Sequence, residues 1–190
     1  LKDAQNIFQE NKLVGNITIA ASKTISNYIM PNIYFDFLTK YKDVKLDILT
    51  INSSKIIDKI LKSEIDIGLI EINTQNSSLI KEKLCDDELI VVTSDKNYKK
   101  EAFIDAIKKR WILREIGSGT REIFINYIGD ISKELDIFMQ LQDFEEIKTI
   151  VLNNPDTVTT LSKVIVKKEL EENKLFQIKL KNINLKREFY

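Results

Sequence analysis

The sequence lacks histidine altogether and has a single cysteine, Cys85, among its 190 residues. A Ser-His-Asp or Cys-His catalytic set is therefore impossible, and so are a disulfide framework and the usual zinc ligand sets. No pair of acidic residues is spaced for catalysis by carboxylates alone. These absences exclude most enzyme classes, and we expect no catalytic residues, no metal and no cofactor.

The sequence also lacks an excess of charge of either sign, since 29 basic residues balance 29 acidic ones. A surface that binds nucleic acid by itself normally has a clear basic excess. No apolar run approaches the ~20 residues that cross a bilayer. We therefore expect no membrane association and no DNA binding by this segment alone. Arginines near a candidate site are informative because there are only four: Arg110, Arg114, Arg121 and Arg187.

The hydrophobic pattern of the first half alternates between strand and helix periods. Pro31 lies early in one helical pattern and predicts a helix start, because an amide is not needed there. Such alternation is typical of a parallel sheet covered by helices. The predicted elements are a strand at 17–21, a helix at 27–41, a strand at 44–51, a helix starting at Ser53 or Ser54, and strands at 65–70, 79–84 and 89–92, the last two joined by a turn at Asp86-Asp87.

A second, shorter round of alternation follows. Its predicted elements are helix 98–110, strand 111–113, turn 115–120, helix 121–128, strand 137–141, helix 143–152, strand 158–162, helix 164–172 and strand 175–180. The whole pattern predicts two α/β lobes, with a crossing between them at 93–97 and a return strand at 158–162. Residues 13–93 and 163–190 are assigned to lobe I, and residues 94–162 to lobe II.

Two predicted strand-to-helix turns carry hydroxyl groups, at 22–24 and at 117–120. Ligands of open α/β sheets collect at the carboxyl ends of strands, where helix N-termini present free amides. Ser and Thr at such positions often serve only as helix caps, so capping remains the alternative. The residues predicted to bind a small anionic or zwitterionic ligand are Ser22, Lys23, Thr24, Asn52, Glu71, Ser118, Gly119, Thr120 and Thr157.

Several candidate residues have a structural alternative. Glu71 ends a predicted strand, where it could contact a ligand. A carboxylate there would repel an anion, however, so the alternative is a solvated carboxylate at the edge of the sheet. Arg121 could hold a carboxylate bidentately or pair with a nearby glutamate. Cys85 could sense oxidants, although no second cysteine could resolve a sulfenic acid, and a small buried side chain is the alternative. Trp111 fits a core position better than a stacking platform.

Six blocks occur in an order that covers almost the whole chain: Gly15–Ser22, Tyr28–Pro31 with Phe37 and Tyr41, Ile65–Glu71, Asp86–Val92, Trp111–Glu115 and Gly117–Arg121. Together they resemble the effector-binding (substrate-binding) domain of LysR-type transcriptional regulators. The order makes the match specific, because each block alone is weak. The sequence departs from the family at 153–157, where a glycine-rich turn is usual.

This resemblance implies a type 2 periplasmic-binding-protein fold, in which two Rossmann-like α/β lobes joined by two crossing strands, at 93–97 and 157–162, close on a small-molecule effector. It also implies a cytoplasmic regulator with an N-terminal winged helix-turn-helix that alone contacts DNA, joined by a linker helix of which residues 1–12 would be the remnant. The effector domain would form a homodimer, within a tetramer of the full-length protein, by pairing helix 27–41 with helix 121–128 of a second chain. The alternative is a transporter's solute-binding protein, and an enzyme of this fold is a third hypothesis.

Overall fold

The computed structural model describes residues 13–98, 106–179 and 185–190. Strands and helices alternate along most of these ranges. The elements are β1 (Gly15–Ala21), α1 (Pro31–Lys40), β2 (Val44–Thr50), α2 (Ser53–Leu61), β3 (Ile67–Leu69), β4 (Cys85–Thr93), β5 (Arg110–Arg114), α3 (Gly119–Ile128), β6 (Asp136–Leu141), α4 (Phe144–Asn153), β7 (Thr157–Ser162), α5 (Lys163–Glu171), β8 (Phe176–Ile178) and β9 (Lys186–Phe189). A π-helical turn (Ile25–Ile29) precedes α1, and a 3-10 helix (Gly129–Glu134) follows α3.

The first sheet has the parallel order β2-β1-β3. It is extended by β9, because Ile70 and Tyr190 exchange backbone hydrogen bonds of 2.9 and 3.0 Å. Apolar side chains cover both faces, with Ala20 and Ile56 in one cluster and Ala21 and Ile25 in the other. The predicted β-α-β-α-β order is therefore confirmed for the first lobe.

The second sheet has the order β6-β5-β7-β4-β8, in which β5 is parallel to β6 and β7 while β4 is antiparallel to β7 and β8. Helices cover both faces. Trp111 is fully buried in one of the two clusters, stacks on Phe124 with ring centroids 5.1 Å apart, and donates its indole N–H to the Ala106 carbonyl at 3.0 Å. The core assignment of Trp111 is confirmed.

Strand β4 belongs to both sheets. Its first half, Cys85 to Glu88, pairs with β9, and its second half, from Leu89 onward, pairs with β7 and β8. The chain therefore crosses between lobes near Leu89 and returns between β8 and β9. The predicted crossings at 93–97 and 157–162 lie elsewhere, and residues 163–178 join the second sheet rather than lobe I. Strand β4 passes through the crossing without a turn, so no turn signal marks this point, and its acidic first half was itself predicted as a turn.

Other expectations differ in detail. Pro31 begins α1 as predicted, but residues 79–84 form no strand and Asp86 and Asp87 lie inside β4. The apolar residues of 79–84 do not signal burial, since Ile80 is 96% exposed. Asn52, rather than Ser53 or Ser54, caps α2. The linker remnant at 1–12 and most of helix 98–110 lie outside the described residues. Across the described ranges, no helix combines the length and apolarity that a membrane span requires.

Candidate functional site

The carboxyl ends of β1, β3 and β5 meet where the two lobes face each other. Ser22 follows β1, Glu71 follows β3, and the turn after β5 leads into Thr120 on the first turn of α3. All three residues are buried, with Glu71 only 2% exposed. The turns identified in the sequence therefore converge, and they do so on a carboxylate of the chain itself.

The Glu71 carboxylate accepts three hydrogen bonds from separate parts of the fold. The Ser22 hydroxyl donates to Oε1 at 2.7 Å, the Thr120 hydroxyl donates to Oε2 at 2.8 Å, and Arg187 Nη1 donates to Oε2 at 2.8 Å. The Glu71 amide donates to the Ser53 hydroxyl at 3.2 Å. Ser22 and Glu71 lie in the first lobe and Thr120 lies in the second, so the carboxylate links the two lobes. Hydrogen bonds to an ionised group are stronger than neutral ones.

Arg187 connects Glu71 to a second acid. Its Nε donates to Asp87 Oδ2 at 2.6 Å, and the other Asp87 oxygen accepts from the Ser162 hydroxyl at 2.6 Å. The Arg187 side chain is 3% exposed and its guanidinium lies 4.8 Å from the centre of the Phe189 ring. One buried cation is therefore shared by two buried carboxylates, an arrangement that requires good hydrogen-bond geometry to offset desolvation.

The pKa of Glu71 shows which influence dominates. Burial alone would raise this pKa, but Arg187 and the hydroxyls of Ser22 and Thr120 outweigh burial and lower the pKa to about 2. Glu71 is therefore ionised at neutral pH. The solvated edge carboxylate expected from the sequence is instead a buried anion whose cationic partner comes from β9.

Gly119 allows the lobes to approach closely. A Cβ at this position would lie 2.6 Å from Glu71 Cβ and 3.1 Å from both Ile72 Cγ2 and the Ser53 hydroxyl. Real Cβ atoms do not tolerate the shorter distance, so α3 can begin against the first lobe only because residue 119 has no side chain. The neighbouring Gly117 carbonyl accepts a long hydrogen bond, 3.4 Å, from the Ser54 amide.

A second set of contacts closes the rim of the cleft at the start of α4. Lys23 pairs with Asp143 at 3.3 Å, and the Tyr28 hydroxyl donates to Glu145 at 2.8 Å. The Tyr28 ring packs on Phe144 with centroids 5.5 Å apart. Because the Lys23–Asp143 pair is partly exposed, it contributes less than about 1 kcal/mol. The ion pair therefore orients the two lobes but adds little to the stability of their contact.

The remaining predicted residues fall into three groups. Ser118 and Thr24 are buried beside the cluster, and the Thr24 hydroxyl has no hydrogen-bond partner among the described residues. Asn52 acts as a cap, since its side chain accepts from the Lys55 amide at 3.1 Å. Thr157 is at the wrong end of β7: its hydroxyl donates to the Asn154 carbonyl at 2.7 Å, whereas Ser162 at the other end faces the crossing.

Arg187, the cation of the site, was missed because β9 was not placed beside β3. Its rarity as one of four arginines is the only sequence signal for it. Arg121 takes neither predicted role, since it donates to the Arg114 carbonyl at 3.0 Å. Cys85 is half-buried, and burial, with a smaller effect of Asp87, raises the pKa of its thiol.

Two α/β lobes with a buried polar cluster between them define a domain of the kind that closes on a small ligand. Residues 10–190 match the family described as the LysR substrate binding domain. The chain therefore belongs to that family, and the resemblance stated from the sequence is confirmed.

A curated relative agrees with this membership, and solved structures share the fold. The HTH-type transcriptional regulator CysL of Bacillus subtilis is 27% identical over 177 residues, which cover 91% of this chain and 59% of that relative. The effector binding domain of QuiR in complex with shikimate has a TM-score of 0.77 at 17% identity, covering 94% of this chain and 86% of that one. A putative phosphate ABC transporter substrate-binding protein of Clostridium perfringens, with bound phosphate, has a TM-score of 0.75 at 19% identity, covering 92% and 84%. The predicted fold class is confirmed.

Proposed function

We propose that the chain is the effector-sensing domain of a LysR-type DNA-binding transcriptional regulator that acts in the cytoplasm. DNA contact would come from a winged helix-turn-helix outside these residues. The balanced charge of the chain supports this division, as does the regulator CysL, of which the chain spans only 59%. The transporter alternative shares the fold, but the curated relatives that match over most of the chain include the regulators CysL and YeiE. A sensing role requires no catalytic residues.

The effector of this proposal is a small anion or zwitterion that binds between the lobes. The observation that carries it is that Ser22, Thr120 and Arg187 already hold a carboxylate, that of Glu71. An oxyanion has the same acceptor chemistry as this carboxylate, so it would suit the same donors. Shikimate, a carboxylate, and phosphate are bound by two proteins of the same fold. Ser118, Gly119 and Thr24 belong to the proposed site, with Lys23 and Asn52 at its margin.

A ligand screen tests the site. Sulfate, phosphate, amino acids and aromatic or aliphatic carboxylates are compared by thermal shift, because a ligand of the folded state raises the melting temperature. Calorimetry of the best ligand then compares wild type with Thr120→Ala and Thr24→Ala. A hydrogen bond to a charged ligand contributes roughly 1.5 to 3 kcal/mol, so each variant should bind roughly ten- to a hundred-fold more weakly.

The matched control is Thr149→Ala, at an exposed position of α4 beyond the helix start that borders the cleft. Its affinity should equal that of the wild type. Wild-type affinity in both Thr120→Ala and Thr24→Ala would show that the hydroxyls only stabilise the fold, and the proposed site would be wrong.

We also propose that the domain forms a two-fold dimer. Helix α1 has no buried residue, and Phe35 is 72% exposed on it. Ile33 and Leu38 of α1 are exposed as well, as are Ile48 of β2 at 41%, Tyr127 of α3 at 48% and Phe138 of β6 at 54%. Exposed apolar surface concentrated on one helix usually marks a partner. In an isologous pair, α1 of each copy would meet α3 of the other.

A further inference from the structure

We propose that Glu71 is the specificity-determining residue of the cleft: its carboxylate occupies the anion position, and an anionic effector binds only by exchanging with it. This inference rests on the proposed effector site. Glu71 would then be a built-in competitor that sets how strongly an anion must interact to be sensed.

The geometry of the donors supports exchange rather than joint occupancy. Ser22, Thr120 and Arg187 come from three different segments, and each directs a hydrogen onto the same carboxylate at 2.7 to 2.8 Å. Glu71 is 2% exposed, so no solvent layer separates these groups. A second anion could reach the same hydrogens only where the Glu71 oxygens now lie.

The local charge leads to the same conclusion. Arg187 already serves both Glu71 and Asp87, so the cluster has one positive and two negative groups. Adding an anion would place three negative charges around one buried guanidinium, where repulsion is poorly screened. Exchange leaves the count unchanged, because Asp87 keeps its bonds to Arg187 and Ser162.

Two buried donors beside the carboxylate form no full hydrogen bond, although the Thr24 hydroxyl is near enough to Glu71 to help lower its pKa. The Thr24 hydroxyl and Arg187 Nη2 have no hydrogen-bond partner among the described residues, although Thr24 is 0% and Arg187 7% exposed. Buried polar groups are normally satisfied, so each such exception requires an explanation. A tetrahedral oxyanion has more acceptor oxygens than the carboxylate it would replace and could use both donors.

Exchange is coupled to opening of the lobes. The first residue of α3, Gly119, lies against the Glu71 side chain, since a Cβ at 119 would be 2.6 Å from Glu71 Cβ. The second lobe therefore packs directly on the Glu71 side chain, and we expect the carboxylate to leave the cluster when α3 moves away. The order of events would be as follows: the lobes separate, Glu71 leaves the cluster, the anion enters, and the lobes close again.

The first experiment measures binding of inorganic sulfate to the 190-residue chain by calorimetry. Glu71→Gln removes the competing charge but keeps the side-chain shape, so its Kd should be at least about ten-fold lower than that of the wild type. Glu134→Gln, on the exposed 3-10 helix, makes the same charge change elsewhere and should bind as the wild type does.

The second experiment remains informative if Glu71→Gln folds poorly. Glu71→Ala leaves a space lined by the three donors, and free acetate should fill it. At about 100 mM acetate the melting temperature of Glu71→Ala should rise by at least about 2 °C relative to equal chloride. Wild type and Glu134→Ala should not respond, and adding Thr120→Ala to Glu71→Ala should remove the rescue.

The two proposals fail in different ways. If wild type binds sulfate with an affinity that Thr120→Ala weakens, while Glu71→Gln binds no more tightly and acetate rescues nothing, the exchange proposal is wrong and the effector site stands. If no variant binds sulfate or acetate in a Thr120-dependent manner, the site is not an anion site and both proposals fall.

Discussion

At the scale of single residues, the ionised state of Glu71 makes the fold sensitive to acid. Its pKa is about 2 in the folded chain against an ordinary 4.5. Because the folded-state pKa is lowered, the stabilisation is present above the unfolded pKa and is lost as the pH falls toward the folded value. The lost contribution is on the order of 3 kcal/mol.

Urea unfolding of wild type and Glu71→Gln at several pH values tests this. The wild type should be the more stable protein near neutrality, and its advantage should shrink between about pH 5 and about pH 2. A difference in unfolding free energy that stays constant over this range would contradict the assignment of the titration to Glu71.

Gly119 gives a second prediction at this scale. Alanine favours helix by up to about 1 kcal/mol over glycine, but here its Cβ would overlap Glu71, an overpacking that costs about 1–3 kcal/mol. Gly119→Ala should therefore melt lower and, since the overlap lies between lobes, show a larger radius of gyration by X-ray scattering. Gly68→Ala creates the same 2.6 Å overlap, with Ile56 inside one lobe, and should lower stability without changing the radius.

The sequence predicted part of this cluster for a physical reason. Ser22 follows β1 directly and Thr120 follows the turn after β5, so local turn chemistry was enough to place them at the sheet edge. Arg187 lies 116 residues from Glu71 along the chain, and only strand order brings them together. Thr157 was misplaced because the pattern of β7 gives its position but not which end faces the cleft.

At the scale of elements, the start of α2 separates capping from ligand binding. The Asn52 side chain accepts a hydrogen bond from the Lys55 amide at 3.1 Å. Asn52→Ala should therefore lower the free energy of unfolding by about 1 kcal/mol, while Asn52→Asp, which keeps an acceptor, should not. Chemical denaturation measures both. If Asn52→Ala instead leaves stability unchanged and weakens ligand affinity, the residue belongs inside the site rather than at its margin.

Element types were more predictable than element partners. Periodicity located the parallel strands and helices of both lobes because each has one buried face or a buried run. It failed at 79–84, where apolar residues lie on the surface, and at β4, whose two halves pair with different strands. Pairing between distant segments depends on the packing of the whole sheet, which a local pattern does not contain.

At the scale of the whole molecule, the exposed apolar face of α1 predicts self-association. Phe35→Asp places a charge at its most exposed aromatic residue, so the proposed dimer should dissociate. Sedimentation at tens of micromolar should show dimers for wild type and monomers for the variant. Ile80→Asp, at a 96% exposed position outside this face, should remain dimeric. A monomeric wild type would end the dimer proposal for this domain.

The dual role of β4 and β9 has a consequence for synthesis of the protein. Strand β9 joins β3 to β4 in the first sheet, yet it is translated after every other described element. Until it emerges, β1 to β3 have an unpaired edge, and the carboxylates of Glu71 and Asp87 have no guanidinium to share. The second lobe, whose described strands all lie between Leu89 and Ile178, can fold on the ribosome first. The cleft would be assembled only when Arg187 arrives, so a nascent chain stalled before β9 should contain one folded lobe and no anion site.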